Sequence, residues 1–428
     1  MQPSMRIFSA RFFSMLALSL SVITPAFAES VIPASFTFLG SGYGHGVGMS
    51  QIGARGQALE GRTAYEILRY YYSYTTVEPV KDDRMMRVNI GHFLSAFEIR
   101  TDTELGQIQI FSGDIKDTIP TESAKVIPAK SNLSFTLLGN LAFPTIISPD
   151  GVVEALPGGS SWTLRWTGTR YLPGVASVVS AKIGSSLTKY RYGQMQIKLV
   201  RTTALGYRME VTNTVRLHDE YLWGIGEVPS SWPLAALQAQ TIASRTYALK
   251  KAGVVKTGCD CDIYGASQDQ AFVGYSKETE ANYGKIWKAA VSSTSTDETT
   301  GLAVLFDSKP IGAYFYSSSG GATESSLDAW GTALPYAISV PDPWSVDPLL
   351  NSRYAHWARP VTQSILATAF GLPDITSIQI VGHRPTGTVT KVTGISSTGN
   401  KVTLTGELFR SKTKLPSTWF DLSIGVQN

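Results

Sequence analysis

The sequence predicts an α+β fold, rich in β-structure, with a few packed helices, and three observations predict it. Between about 80 and 185, short β-branched runs such as Gln107-Ile108-Gln109-Ile110-Phe111 and Trp162-Thr163-Leu164-Arg165-Trp166 alternate with Gly, Pro, Ser and Asp turns. Polar and apolar residues alternate over Gln194–Leu199 and again over Glu210–Val215, the pattern of a hairpin. Helical signals are few, and two are strong. Residues 56–72 carry an apolar face of Tyr65, Ile67, Leu68, Tyr71 and Tyr72. Residues 233–250 form an alanine-rich stretch with Pro233 at its first position and Ser231 or Trp232 as cap. Two strands are expected around Asp307-Ser308-Lys309-Pro310, and β-structure again over 375–424.

Length and composition bound the rest. A chain of 428 residues exceeds one ordinary domain, and 43% hydrophobic with 16% charged residues describes a globular protein. The first 28 residues read as a secretory signal. Arg6 and Arg11 precede an apolar core from Met15 to Ile23 and a small-residue Ala26-Phe27-Ala28 end. An uncleaved anchor is the alternative. Removing that segment takes away two arginines and no acid, so the formal charge falls from +4 to +2. So small a charge argues against nucleic acid as partner. The domains expected are 1–28 as signal, 29–79, an all-β module inserted at 80–188, and 189–422.

Three places carry chemistry. Gly42-Tyr43-Gly44-His45-Gly46-Val47-Gly48-Met49-Ser50-Gln51 sets one imidazole among alternating glycines, which allow positive φ and close approach to the main chain. It lacks both phosphate-loop spacings, so it is either a solvated turn or a ligand-facing loop. Glu227 follows the apolar Tyr221-Leu222-Trp223-Gly224-Ile225-Gly226 and precedes Val228-Pro229. A carboxyl there is partly desolvated, which raises its pKa toward that of a general acid, unless it is a surface or capping Glu. The only cysteines, Cys259 and Cys261, are one residue apart, which in an exported protein leaves a disulfide, a metal site or free thiols.

Three blocks together resemble the sporulation stage II protein D / amidase-enhancer (SpoIID/LytB) family. They are GYGHGVGMSQIGARGQALEGRTAYEILRYYY, VRLHDEYLWGIGEVPSSWPLAALQAQTIASRTYAL and AVLFDSKPIGAYFYSSSGGATESSLDAWGTALPYAISVPDPW, joined by Ser417-Thr418-Trp419-Phe420 near the end. The resemblance covers most of 36–78 and 189–422. One departure concerns order: the family's GHGVGMSQ block usually follows the closing strand, and here it opens the chain. That implies a circularly permuted arrangement with the strand near 420 beside the one near 37.

The resemblance further implies a lytic transglycosylase acting on peptidoglycan glycan strands, denuded ones above all, with Glu227 as catalytic acid. The segment before that Glu is two residues shorter here than in the sporulation type. His45, Gln51, Tyr316, Ser318 and Ser319 are expected to line the substrate groove, and Gln238 and Arg245 to orient Glu227. Aromatics such as Tyr43, Trp223, Trp232 and Trp330 offer faces for sugar rings. Some members bind a structural zinc near the segment Cys259–Gln270, but the spacing here does not reproduce such a site, and a Cys259–Cys261 disulfide is the expectation. No cofactor is expected. The non-catalytic alternatives are an enhancer of an N-acetylmuramoyl-L-alanine amidase and a wall-binding scaffold using 80–188.

Overall fold

A computed structural model describes Met1 and residues 32–423, so nearly all of the expected signal segment lies outside the described residues. Strands outnumber helices, and the fold is α+β rich in β. A seven-stranded sheet runs in the spatial order Ile263–Tyr264, Met85–Leu94, Gly206–Arg216, Gln194–Thr202, Ser161–Trp166, Ile108–Ser112, Lys125–Ile127. The hairpin read from alternation is there, with Gln194 opposite Thr214 and Thr202 opposite Gly206. A six-stranded sheet, centred on Asn132–Leu138 and Ala96–Thr101, shares one apolar core with it through Phe97, Phe135, Ile110, Trp162 and Ile197. Strands from 80–188 therefore pair and pack directly with the 194–216 hairpin, burying their alternate apolar residues against it.

The helical text at 56–72 resolves into two helices. α1 spans Gln51–Leu59 and α2 spans Ala64–Tyr71. The break has a local cause. Gly61 takes φ +89°, and Thr63 with Glu66 forms a reciprocal capping box that starts α2 afresh. α3, Leu234–Lys251, begins directly after Pro233 and is buried on nearly every side. It packs on one side against Met49, Ile67, Leu68 and Tyr71 and on the other against the large sheet core and Trp287 of α4, Gly284–Ser292. Its many alanines permit this double packing.

A third core gathers Phe38, Trp357, Phe370, Phe409 and Phe420. Strand Phe420–Leu422 pairs antiparallel with Ser35–Gly40, Phe38 opposite Leu422 and Gly40 opposite Phe420. The two distant segments lie side by side, as a permuted order requires. The tail read as β-structure, 375–424, also contains a helix at Gly406–Thr413, and another helix, Gln363–Phe370, precedes it. Among the described residues no helix is long and apolar enough to cross a membrane.

Candidate active site

Glu227 sits where the chain leaves the apolar run of 221–226 and turns toward α3. The backbone on either side is tied to the segment 271–273: Gly226 N–H donates to the Ala271 carbonyl (2.8 Å) and Val273 N–H to that of Gly224 (2.8 Å). In return Ala271 N–H donates to Glu227 Oε1 at 2.6 Å. Downstream, the buried Lys277 donates to the Val228 carbonyl at 2.7 Å and to Glu280, which also accepts from Ser230 Oγ. The loop thus holds its carboxyl in one place.

Gln51 reaches Glu227 from the other side. It opens α1, whose cap Ser50 accepts from Gly53 N–H. Its side-chain amide donates to Glu227 Oε2 (3.4 Å) and to Gln240 Oε1 (3.3 Å) of α3. Burial pushes the Glu227 carboxyl above the ordinary carboxylate range, and the bonds from Ala271 and Gln51 hold it back in part. The nearby acid Asp269 is spent on Lys251, Lys256, the Tyr247 hydroxyl and Tyr264 N–H, which keep it ionised.

His45 makes no direct contact with Glu227 and is linked to it through a row of aromatic rings. Its ring lies 5.4 Å from both Tyr316 and Trp330 and 6.5 Å from Tyr314. Tyr314 in turn meets Tyr247 at 6.0 Å, and Tyr247 feels the charge of Glu227. Val47 N–H donates to His45 Nδ1 (3.1 Å), which assigns the ring proton to Nε2. Burial, then the charge of Arg410, lowers the imidazole to about 4 against a bond with the Phe315 backbone, so it is neutral at pH 7. The glycines around it are required. Gly44 has φ +123°, and a Cβ there would lie 2.7 Å from that of Tyr316. Gly44→Ala is expected to cost about 2–3 kcal/mol, while Gly61→Ala, with φ +89° and open space, costs only the backbone term of about 1–2 kcal/mol. Thermal melts of the two variants side by side check this.

The other residues expected at the site separate into two groups. Tyr316 and Ser318 are buried beneath the 42–48 loop with hydroxyls that find no partner among the described residues. Ser319 lies deeper, donating to Asp342 Oδ2 (2.7 Å) in a network with Tyr71 and Ser345. Ser345 Oγ is 2.8 Å from Ser50 Oγ, so this network fixes the start of α1 and does not face a groove.

Gln238 points away from Glu227 and donates to Ser293; Gln240, two residues on and about 200° around the helix, takes the place at Gln51. Arg245 is wholly buried on Asp82, Thr294 and the Leu302 carbonyl and touches nothing of the site. Sequence reading missed Gln240, Tyr247, Ala271 and Lys277. The i, i+4 pairing of Gln240 with Ser244 is the one signal that marked a polar stripe.

Cys259 and Cys261 form a disulfide. No group of three His, Cys, Asp or Glu among the described residues is arranged to hold a metal. A cleft of about 730 Å³ opens elsewhere, lined by Trp357, Trp419, Phe420, His356 and Asp421, and does not include Glu227.

The comparisons follow the same residues. The SpoIID family model, described as Stage II sporulation protein, matches residues 206–299, the stretch that carries Glu227, Gln240 and Ala271. The chain is 32% identical over 116 residues to the amidase enhancer of Bacillus subtilis (strain 168), covering 27% of this chain and 14% of that protein. It is 27% identical over 178 residues to stage II sporulation protein D of the same organism, covering 40% and 51%. These matches support the SpoIID/LytB family for the stretch of the chain that carries Glu227. A third SpoIID/LytB relative, stage II sporulation protein D of Bacillus amyloliquefaciens, is 31% identical over 136 residues, 29% of this chain and 38% of its own. The chain spans about half or less of the length of these relatives. No solved structure matches it.

Proposed function

We propose that this protein is an exported peptidoglycan-remodelling enzyme, a lytic transglycosylase in which Glu227 is the single acid and base. The observation that carries the reading is a buried carboxyl of raised pKa, held by amides alone, with the nearby acid Asp269 locked in its own ion pairs. Hydrolytic glycosidases use two carboxyls. Transglycosylation within a muramic acid unit needs one. Protonated Glu227 gives its proton to the glycosidic oxygen as the bond to the anomeric carbon breaks. The 6-hydroxyl of the same sugar attacks that carbon, closing a 1,6-anhydro ring, and its proton passes to the Glu227 carboxylate. The enzyme returns to its starting state without water.

Half-buried Tyr314 and exposed Trp330, packed edge to face beside His45, suit pyranose faces. The segment 1–28 supports export. A second reading has one observation in its favour, the 32% identity to a protein named amidase enhancer: the same surface would then stimulate an N-acetylmuramoyl-L-alanine amidase.

Mass spectrometry of purified glycan strands incubated with the protein separates the two. New 1,6-anhydromuramic ends are expected. Reducing ends or no cleavage overturn the enzymatic reading, and stimulation of an amidase in the same assay supports the second. Gln51→Leu gives a finer check. It removes the donor that favours ionised Glu227, so the alkaline limb of the kcat/KM profile is expected to move to higher pH.

A further inference from the structure

We propose that Arg55 reads the lactyl carboxylate that a muramic acid carries once its stem peptide is gone, and so is the residue that sets the preference for denuded glycan already implied by the family resemblance; the inference rests on Glu227 being the reacting acid. Arg55 stands about one turn beyond Gln51 on α1, so the two share a face about 6 Å apart along the axis. The phase of the helix is fixed from behind. Gly53 lies against Tyr71 and Asp342 and Gly56 against Trp344, so closely that neither position has room for a Cβ. With that side committed, Gln51 faces Glu227 and Arg55 lies next along the same row.

The loop that carries Glu227 reaches Arg55 as well. The guanidinium lies 5.6 Å over the ring of Trp232, five residues past Glu227, and donates once, to the Leu350 carbonyl at 3.1 Å. A guanidinium has five donors in a planar fork suited to a carboxylate. No described carboxylate pairs with this one, which is partly buried. The neighbouring cations are spent: Lys277 on Val228 and Glu280, Arg245 on Asp82, Arg410 on Glu407.

The substrate supplies what is missing. The lactyl ether sits on the same pyranose ring as the anomeric carbon that reacts at Glu227, and the separation across such a ring is of the order of one helical turn. Without a stem peptide its carboxylate is free and negative. With the peptide attached, it is a neutral amide. A charge-assisted fork to Arg55 forms with the first and not with the second, worth ~10–100-fold in affinity.

The test uses two probes, denuded glycan strands and the same strands with their lactyl carboxylates capped as methylamides. Wild type is expected to cleave the free-acid strands ~10–100-fold better in kcat/KM. Arg55→Gln loses that factor on the free-acid strands, mainly through KM, and is unchanged on the capped ones, while Arg55→Lys keeps part of the preference. Equal cleavage of both probes by wild type, or an equal loss on both in Arg55→Gln, overturns the proposal. If wild type cleaves neither, the enzymatic reading has failed. Binding of the two probes to wild type and to Arg55→Gln then decides separately, and equal affinities overturn the role of Arg55.

Discussion

Glu227→Gln abolishes the formation of 1,6-anhydromuramic ends and leaves the fold intact. A positioned general acid contributes about 10²–10⁴-fold to a rate, and here one carboxyl both gives and takes the proton, so a loss at the upper end of that range or beyond is expected. Glutamine keeps an oxygen for Ala271 N–H and fits between Gln51 and the 271–273 segment without a change of volume. Its stability follows from the raised pKa. A carboxyl whose folded value lies above its unfolded one favours the folded state fully below the unfolded value, and that advantage is lost as pH rises through the folded value. At pH 8 wild type carries the cost of a desolvated carboxylate that the variant lacks. Thermal melts at pH 8 should therefore show Glu227→Gln at least as stable as wild type, and a lower melting point would mean that the carboxylate is paired with a cation. In wild type, kcat/KM should fall as pH rises through a value above the ordinary carboxylate range, since only the protonated acid starts the reaction.

The residues legible in the sequence are those whose role follows from the chain around them. Glu227 stands between an apolar run and two prolines, and Gln51 follows the only glycine-spaced His, so both could be named before any contact was known. The hairpin at 194–216 was legible for the same reason, since alternation is local. What could not be read depends on partners distant in sequence. α3 mixes alanine and polar residues around its whole circumference, so nothing in it sets which polar residue faces Glu227, and Gln240 rather than Gln238 is chosen by α1 and by Ser293. Ser319 lies in a hydroxyl-rich turn that suits a groove, yet Asp342 claims it from 23 residues away. The break between α1 and α2 was readable in part: Thr63 and Glu66 spell a capping box, but the continuing apolar period across it conceals the stop.

Arg245→Met is expected to destabilise the protein by about 3–5 kcal/mol while leaving cleavage per folded molecule unchanged. The guanidinium donates to Asp82 Oδ2 at 2.7 Å, and both side chains are fully buried. Burial pulls the arginine down and the Asp82 carboxylate holds it up. His218 Nδ1 lies 2.6 Å from the other Asp82 oxygen, and Asp82 N–H donates to the Thr299 carbonyl. One buried acid therefore joins the strand end at 81, the turn after 216, α3 and the start of the strand Thr300–Phe306. Methionine fills the space of the side chain but leaves buried Asp82 without its guanidinium, with only His218 beside it, which is the larger part of the cost. The double variant Arg245→Met/Asp82→Leu removes that charge and should recover most of the loss, a coupling readable in a double-mutant cycle of melting curves. Were Arg245 instead a groove residue orienting Glu227, the double variant would recover stability and still lack activity. Full activity in the recovered fold is the expected outcome, because the arginine's hydrogen bonds all run to Asp82, Thr294, Ser295 and Leu302 and none to the loop that carries the acid.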